Sequence, residues 1–167
     1  MGIPNNAHAS RWEAVLSNIP TIGDTVISQD LYNLYIKGVT IPDTSINMIN
    51  SDFRDYTYLT PGTRGNTEYF QLLIEFAVSE DMSNYYNFLQ LMQMTRFEES
   101  SKEQRLKDLN INKISVFFKD NQKRKTSVMD FKNCFLTNLS SLSLIYGSRE
   151  EIIFTATFTY QEVLLIK

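Results

Sequence analysis

The sequence predicts a mainly β protein with a single helix in its middle. From Ile152 to Tyr160 the bulky apolar residues fall on every second position, which is the repeat of a half-buried strand. Between Tyr85 and Met92 the apolar residues recur at i, i+3, i+4 and i+7, the repeat of a helix that packs by one face. No internal repeat or linker divides the 167 residues, so we expect one domain over residues 1–167.

The N-terminal part predicts an arm and two strands. Residues 1–10 are polar and contain Pro4, which is typical of an arm rather than a packed element. A first strand is predicted by the alternation of Trp12, Ala14 and Leu16. A second strand is expected over residues 31–39, and Pro42 closes it because proline lacks the backbone donor that a ladder requires.

Residues 44–67 contain no clean core pattern and predict a long loop or a projecting hairpin with a turn-rich end. Their aromatic and aliphatic content argues against disorder, and a loop of this composition is typical of a contact surface. The alternative is a loop that folds back onto its own domain. We expect inter-subunit contacts from the apolar residues of this segment, namely Ile46, Met48, Ile49, Phe53, Tyr56 and Tyr58.

The middle of the chain predicts a strand, the helix and a charged connection. Residues 68–77 alternate as a strand. Ser79 is a good helix cap, and the acidic residues 80–81 suit a helix N-terminus, so we expect a helix that runs to about Thr95. Residues 96–110 mix charges of both signs and predict a solvated connection.

The C-terminal part predicts two hairpins and an apolar tail. One hairpin has strands around residues 114–118 and 128–135, followed by a short loop at residues 136–138. The other joins residues 142–146 to residues 152–160, with Ile152, Phe154, Ala156, Phe158 and Tyr160 on a core face and Thr155, Thr157 and Thr159 on a face for water or a neighbouring surface. In the tail at residues 161–167 we expect a docking contact from the apolar residues Leu164, Leu165 and Ile166.

Few residues suit chemistry. Cys134 is predicted to be a buried small hydrophobe, and the lone His8 lies in the arm. Glu150 and Glu151 are sequential, so their side chains diverge and cannot act as an acid/base pair. The basic residues 123–125 predict a solvated turn, with a docking contact as the alternative. A net charge of −3 gives no general attraction to DNA. We expect no catalytic, cofactor-binding or metal-binding residue, and a structural protein rather than an enzyme.

The order of these elements resembles the tail tube family of contractile-tailed bacteriophages. The resemblance rests on the segment ending in "EEIIFTATFTY", on "YNLYIKGVTIPDTSI", and on "YFQLLIEFAVSEDMSNYYNFLQLM", where a strand runs into the helix. It implies a β-sandwich-like or barrel-like subunit that joins its neighbours into a ring-shaped inner β-barrel. Six copies would form a ring, and stacked rings would form the conduit for the genome.

The resemblance also implies partners and a location. The partners would be further copies of the chain, the tail sheath, and baseplate or tail-terminator proteins. Genomic DNA would pass through the lumen without specific binding, no membrane would be involved, and the chain would belong to the virion tail after assembly in the bacterial cytoplasm. The alternatives are a tube initiator near the baseplate, which the apolar tail favours, a type VI-like secretion tube, and a monomeric β-sandwich binding module.

Overall fold

The computed structural model describes residues 11–17, 19, 33–42, 48–53, 56–61, 71–97, 111–144 and 150–166. They form nine strands and one long helix. The strands are β1 (Trp12–Ser17), β2 (Ile36–Thr40), β3 (Met48–Phe53), β4 (Tyr56–Pro61), β5 (Gln71–Ala77), β6 (Ile111–Lys119), β7 (Lys125–Leu139), β8 (Ile153–Thr159) and β9 (Glu162–Ile166). The helix α1 (Ser83–Phe97) lies between β5 and β6.

The long strand β7 belongs to two antiparallel sheets. Its first part, up to Cys134, pairs with β6 and gives sheet A, in the order β1-β6-β7-β9. Its last part, Phe135–Leu139, pairs with β8 and gives sheet B, in the order β7-β8-β5-β2. Among the described strands, β1, β2 and β9 each pair with one neighbour only, so the sheets do not close into a barrel within one subunit.

β8 and β9 follow β7 in one register where the strands pass from sheet A to sheet B. Phe135 pairs with Thr159 in sheet B, and Lys132 pairs with Glu162 in sheet A. In both pairs the two residue numbers add up to the same total, as one continuous antiparallel register requires, so no residue is gained or lost between them. Between these two pairs the ladder is interrupted where Asn133 adopts a positive φ of 52° and the Gln161 N–H donates to the Lys132 carbonyl at 3.1 Å. Two adjacent strand segments therefore pass together from one sheet to the other.

An aromatic cluster packs α1 against sheet B. Phe76 of β5 stacks on Phe154 of β8 with a centroid separation of 5.3 Å, and Phe88 of α1 lies 5.2 Å from Phe76. Phe88 also meets Phe158 edge to face at 6.1 Å. These four rings are fully buried, so the predicted core face of the last strand is confirmed for Phe154 and Phe158. Ala156 and Tyr160 of the same face are also buried, whereas Ile152 is exposed.

The helix begins later than the sequence predicted. It starts at Ser83 instead of directly after Ser79, and its first turn contains no acidic residue. The predicted cap still binds the helix, because the Ser79 hydroxyl lies 3.4 Å from the Asn84 N–H. The delay is due to Asp81, whose carboxylate accepts hydrogen bonds from the Ser83 N–H at 3.1 Å and the Ser83 hydroxyl at 2.8 Å.

Three strand boundaries differ from the prediction. Residues 33–34 form a helical turn, so β2 begins at Ile36, late in the predicted strand 31–39. The predicted loop 136–138 lies inside β7. Residues 140–144 are not a strand, and residues 145–149 lie outside the described part of the chain. The partner of β8 is therefore the end of β7, because long-range pairing with β8 extends β7 beyond the point where its own alternation weakens.

The threonine face of β8 is more buried than its composition suggested. Thr157 and Thr159 are only 7% and 3% exposed, which corrects the expectation that they face water. The neighbouring Thr137 sits at a bulge between β7 and β8, where its hydroxyl donates to the Thr157 carbonyl at 3.0 Å. The Thr159 hydroxyl lies 3.3 Å from the same Thr137 oxygen. These hydroxyls bond to one another and to the backbone, while Thr155 remains half-buried.

Candidate assembly surface

The segment predicted to project from the domain contains the hairpin β3–β4. The two strands form a separate two-stranded antiparallel sheet, which pairs with no other strand that the structure describes. Phe53 pairs with Tyr56, and Ser51 pairs with Tyr58. Met48 and Ile49 lie at the start of β3, whereas the remaining predicted contact of this segment, Ile46, lies outside the described residues. The hairpin form of the prediction is confirmed; its role in assembly stays a prediction.

The second predicted contact, the apolar tail, is the edge strand β9. Leu164 pairs with Asp130 of β7, and Leu165 and Ile166 pair with the next two residues towards the start of β7. Docking on β7 leaves Leu165 62% exposed and Ile166 49% exposed, while Leu164 is half-buried. The structure thus gives the tail a partner within its own chain and still leaves apolar surface uncovered.

Sheet A carries lysines on its outer face, and each of them has a partner. Lys119 lies 2.8 Å from the Glu13 carboxylate, and its hydrogen bond holds the pKa of Glu13 below its usual value. The Lys113 and Lys132 ammonium groups face carboxylates at 3.6 Å and 3.8 Å, and Lys125 lies 3.7 Å from the centre of the Phe117 ring. The face is therefore polar, with little unbalanced positive charge.

A further apolar row lies at the end of sheet B, and the sequence pattern did not reveal it. Ile152 and Ile153 are 38% and 47% exposed at the start of β8, although the alternation placed Ile152 in the core. The Ile152 carbonyl accepts a 2.8 Å hydrogen bond from the Val78 N–H, and the Tyr35 carbonyl accepts one from the Ala77 N–H. Next to Tyr35, Leu34 is also exposed. The sequence pattern missed the exposure of Leu34 because residues 33–34 form a helical turn, which takes Leu34 out of the predicted strand.

The residues considered for chemistry have structural surroundings. Cys134 is buried, which confirms the predicted small core residue, and desolvation raises the pKa of its thiol to about 12. Glu151 forms an ion pair with Lys37 at 2.9 Å. In the basic turn, the Arg124 Nε–H donates to the Asp120 carboxylate at 2.9 Å, and this turn is exposed. Among the residues that the structure describes, no cluster of three or more His, Cys, Asp or Glu side chains could hold a metal ion.

The described part of the chain also contains no helix that is both long and apolar enough to cross a bilayer. No known protein family and no curated protein sequence matches the chain.

Solved structures share its fold over almost its whole length. A chain of the PVC sheath–tube complex, from an extracellular contractile injection system in the extended state, aligns with a TM-score of 0.64 at 14% identity and covers 98% of this chain and 93% of that chain. A chain of the PVC sheath/tube terminator aligns with a TM-score of 0.65 at 14% identity, over 99% of this chain and 100% of that chain. The anti-feeding prophage tube-terminating cap gives a TM-score of 0.65 at 14% identity, over 99% and 93%.

At this level of identity the likeness shows a common fold. The predicted tail-tube-type architecture, a mainly antiparallel β subunit with one long helix in its described part, is therefore confirmed, and it is shared with chains from contractile injection systems.

Proposed function

We propose that the chain is a structural subunit of the inner tube of a contractile tail-like assembly. The observation that carries this proposal is the structural alignment of 98% of this chain with 93% of a chain of the PVC sheath–tube complex. A structural subunit acts through its shape, so we expect it to share its fold over its full length with other subunits of the same kind. In this form the subunit closes with five further copies into a ring, the rings stack, and the chain contacts sheath, baseplate and terminator proteins.

Two surfaces support assembly rather than catalysis. The hairpin β3–β4 pairs with no other described strand, and β9 leaves Leu165 and Ile166 exposed. A monomer with open, uncharged strand edges is prone to aggregate, whereas a closed ring pairs such edges. The residues proposed to form inter-subunit contacts are therefore Met48, Ile49, Phe53, Tyr56 and Tyr58 of the hairpin, Ile46 before it, and Leu164, Leu165 and Ile166 of β9.

We further propose that the chain belongs to a phage tail, within the virion, where genomic DNA passes through the lumen. A lumen whose lysines are paired with carboxylates would let DNA slide with little phosphate affinity. A secretion tube of an injection system is the alternative, since chains of extracellular contractile injection systems share the fold. Solved chains from a tube terminator and a baseplate share it too, so a ring at either end of the tube is a further alternative.

Negative-stain electron microscopy of the purified chain over a concentration series tests the proposal. We expect rings at low concentration and hollow tubes of uniform width at high concentration. Rings that never stack would favour a terminator or an initiator. Particles that stay monomeric, near 19.4 kDa, at every concentration would overturn the tube proposal in favour of a monomeric binding module.

A further inference from the structure

In the two larger sheets, β1, β2 and β9 each pair with one neighbour only among the described strands, and two of these edges match each other. β2 is blunted, because its pairing with β5 contains a bulge between Ile36 and Gly38. β1 and β9 lie at the two ends of sheet A and contain neither a bulge nor a proline. Natural edge strands are normally protected by such features, so unprotected edges indicate that something pairs with them.

The backbone hydrogen bonds identify which groups each edge offers. The Lys119 N–H donates to the Arg11 carbonyl, so the backbone N–H and C=O groups of the odd-numbered residues of β1 bond to β6. The backbone groups of the even-numbered residues point in the opposite direction, towards the open edge. The Leu16 N–H agrees with this orientation, because it donates instead to the Asn33 side chain at 3.0 Å. The same alternation carried across β6 and β7 directs the backbone groups of Val163 and Leu165 outwards from β9. The open edge of β1 therefore exposes the backbone groups of Trp12 and Ala14, and the open edge of β9 exposes those of Val163 and Leu165.

The exposed apolar side chains of β9 lie on the face of sheet A that packs against the core. Val163 and Leu165 pair with Phe131 and Met129, and Phe131 is fully buried in the core between the sheets. They therefore lie on the core face of sheet A, yet Val163 is 42% and Leu165 is 62% exposed. Nothing among the described residues covers this end of the core.

We propose that β9 of one copy pairs with β1 of a second copy, antiparallel, with Val163 opposite Ala14 and Leu165 opposite Trp12. This inference rests on the proposed function and names the strands by which neighbouring subunits join. Sheet A has an even number of antiparallel strands, so its two edges run in opposite directions. A copy related by rotation alone presents β1 in the direction that continues the alternation, and repetition of this contact by a rotation that divides a full turn evenly closes a ring.

The pairing also places suitable side chains together. The Trp12 ring, which packs beside the core of its own subunit, comes next to the exposed Leu165 and covers it. The open positions on both edges are uncharged, so the contact buries no unpaired charge.

Disulfide trapping tests the strand pairing. In the proposed register Glu13 lies opposite Leu164 as a non-hydrogen-bonded pair, with the two Cα atoms about 4.5 Å apart, which is within reach of a disulfide. Two variants, Glu13→Cys and Leu164→Cys, are made with different affinity tags, mixed and oxidised. Cys134 does not compete because it is buried. We expect a disulfide-linked dimer that contains both tags as the main product and no dimer of either variant alone.

The matched control is Val15→Cys mixed with Leu164→Cys, a diagonal pair about 7–8 Å apart that is too distant for a disulfide. Efficient cross-linking of this control would overturn the register, and a dimer of Leu164→Cys alone would overturn the β9–β1 pairing. Tubes in electron micrographs without the Glu13–Leu164 cross-link would overturn the inference and leave the proposed function in place. Monomers without any cross-link would overturn both.

A second variant separates assembly from folding. Leu165→Lys places a charge on the open edge, where it should prevent strand addition without touching the fully buried core. We expect a monomer with an unchanged melting temperature. Tyr86→Lys, at another exposed position on α1, is the control and should still assemble. Normal rings from Leu165→Lys would overturn the inference.

Discussion

The side-chain amide of Asn84 donates a 2.8 Å hydrogen bond to the backbone carbonyl of Ala77. Asn84 lies in the first turn of α1, and Ala77 ends β5. The Asn84 Oδ1 atom also accepts hydrogen bonds from the Ser79 N–H and the Ser79 hydroxyl, each at 3.1 Å. One buried side chain therefore satisfies several backbone groups of the connection between sheet and helix.

Replacing Asn84 with alanine should destabilise the fold. The Ala77 carbonyl and the Ser79 N–H lose their partner in a buried place, and each unsatisfied group costs about 1–3 kcal/mol. We expect Asn84→Ala to lower the free energy of unfolding by about 2–4 kcal/mol in urea denaturation. The control is Ser83→Ala, which removes a hydroxyl that bonds the exposed Asp81 and should change it by less than about 0.5 kcal/mol. Equal effects of the two variants would contradict this role.

Ser115 should contribute to stability through Asp130. Both residues are buried, and the Ser115 hydroxyl donates to the Asp130 carboxylate at 2.6 Å. Because a hydrogen bond to a charged group contributes about 1.5–3 kcal/mol, Ser115→Ala should lower the free energy of unfolding by that amount. Ser127→Ala, at a half-buried position on β7, is the matched control and should have little effect. Chemical denaturation of both variants measures these changes. An unchanged free energy of unfolding for Ser115→Ala would refute the prediction.

The two faces of β8 should respond differently to a charge. Phe158 is fully buried, and aspartate there would place an unpaired charge in the core at a cost of several kcal/mol. We expect the circular dichroism spectrum of Phe158→Asp to be that of an unfolded chain. Ile153→Asp, on the same strand but 47% exposed, should fold with a melting temperature within a few degrees of the wild type. Folding of Phe158→Asp would show that the strand faces had been assigned the wrong way round.

The Cys134 thiol should be unreactive until the protein unfolds. Burial raises its pKa from 9.0 to about 12, so the folded protein holds the neutral thiol at pH values where an unfolded thiol ionises. The resulting stability is complete below pH 9 and is lost as the pH rises towards 12. A thiol reagent at pH 8 should label Cys134 only in denaturant. Rapid labelling of the native protein would contradict the buried position.

Removal of the hairpin should separate folding from assembly. The strands β3 and β4 pair only with each other among the described strands, so replacing residues 47–66 with a short glycine-serine linker should leave the main sheets intact. We expect a cooperative melting transition near that of the wild type and no tubes in electron micrographs. A variant that keeps residues 47–66 and carries the same linker after residue 166 is the control. Tubes of normal length from the hairpin deletion would refute a role of this segment in assembly.

Local patterns predicted most elements because each depends on neighbouring residues. Alternation predicted the strand of Trp12, Ala14 and Leu16, and the Phe154 and Phe158 core face of β8. The helical repeat predicted α1, although the competing hydrogen bonds of Asp81 moved its start to Ser83. The hairpin β3–β4 was one of two open alternatives, since its composition suits both a loop and a hairpin.

The candidate surface was predicted only in part. Apolar composition indicated that Leu164, Leu165 and Ile166 make a contact, but not that they form a strand on β7. The pattern missed Leu34 and the exposure of Ile152, because a strand and a strand end look alike over a few residues. In these places the outcome depends on which distant strand supplies the partner.

The sequence by itself determined the fold class, the position of the helix and which face of β8 packs inwards, because side-chain periodicity is a local property. Only the tertiary structure decided the extent of β7, the burial of Thr157 and Thr159, and the exposure of β9. β7 continues through Leu136 to Leu139 because β8 pairs with it there, and β9 is exposed because no described strand lies beyond it. Strand order is a long-range property, and among the described strands it leaves the two edges of sheet A open.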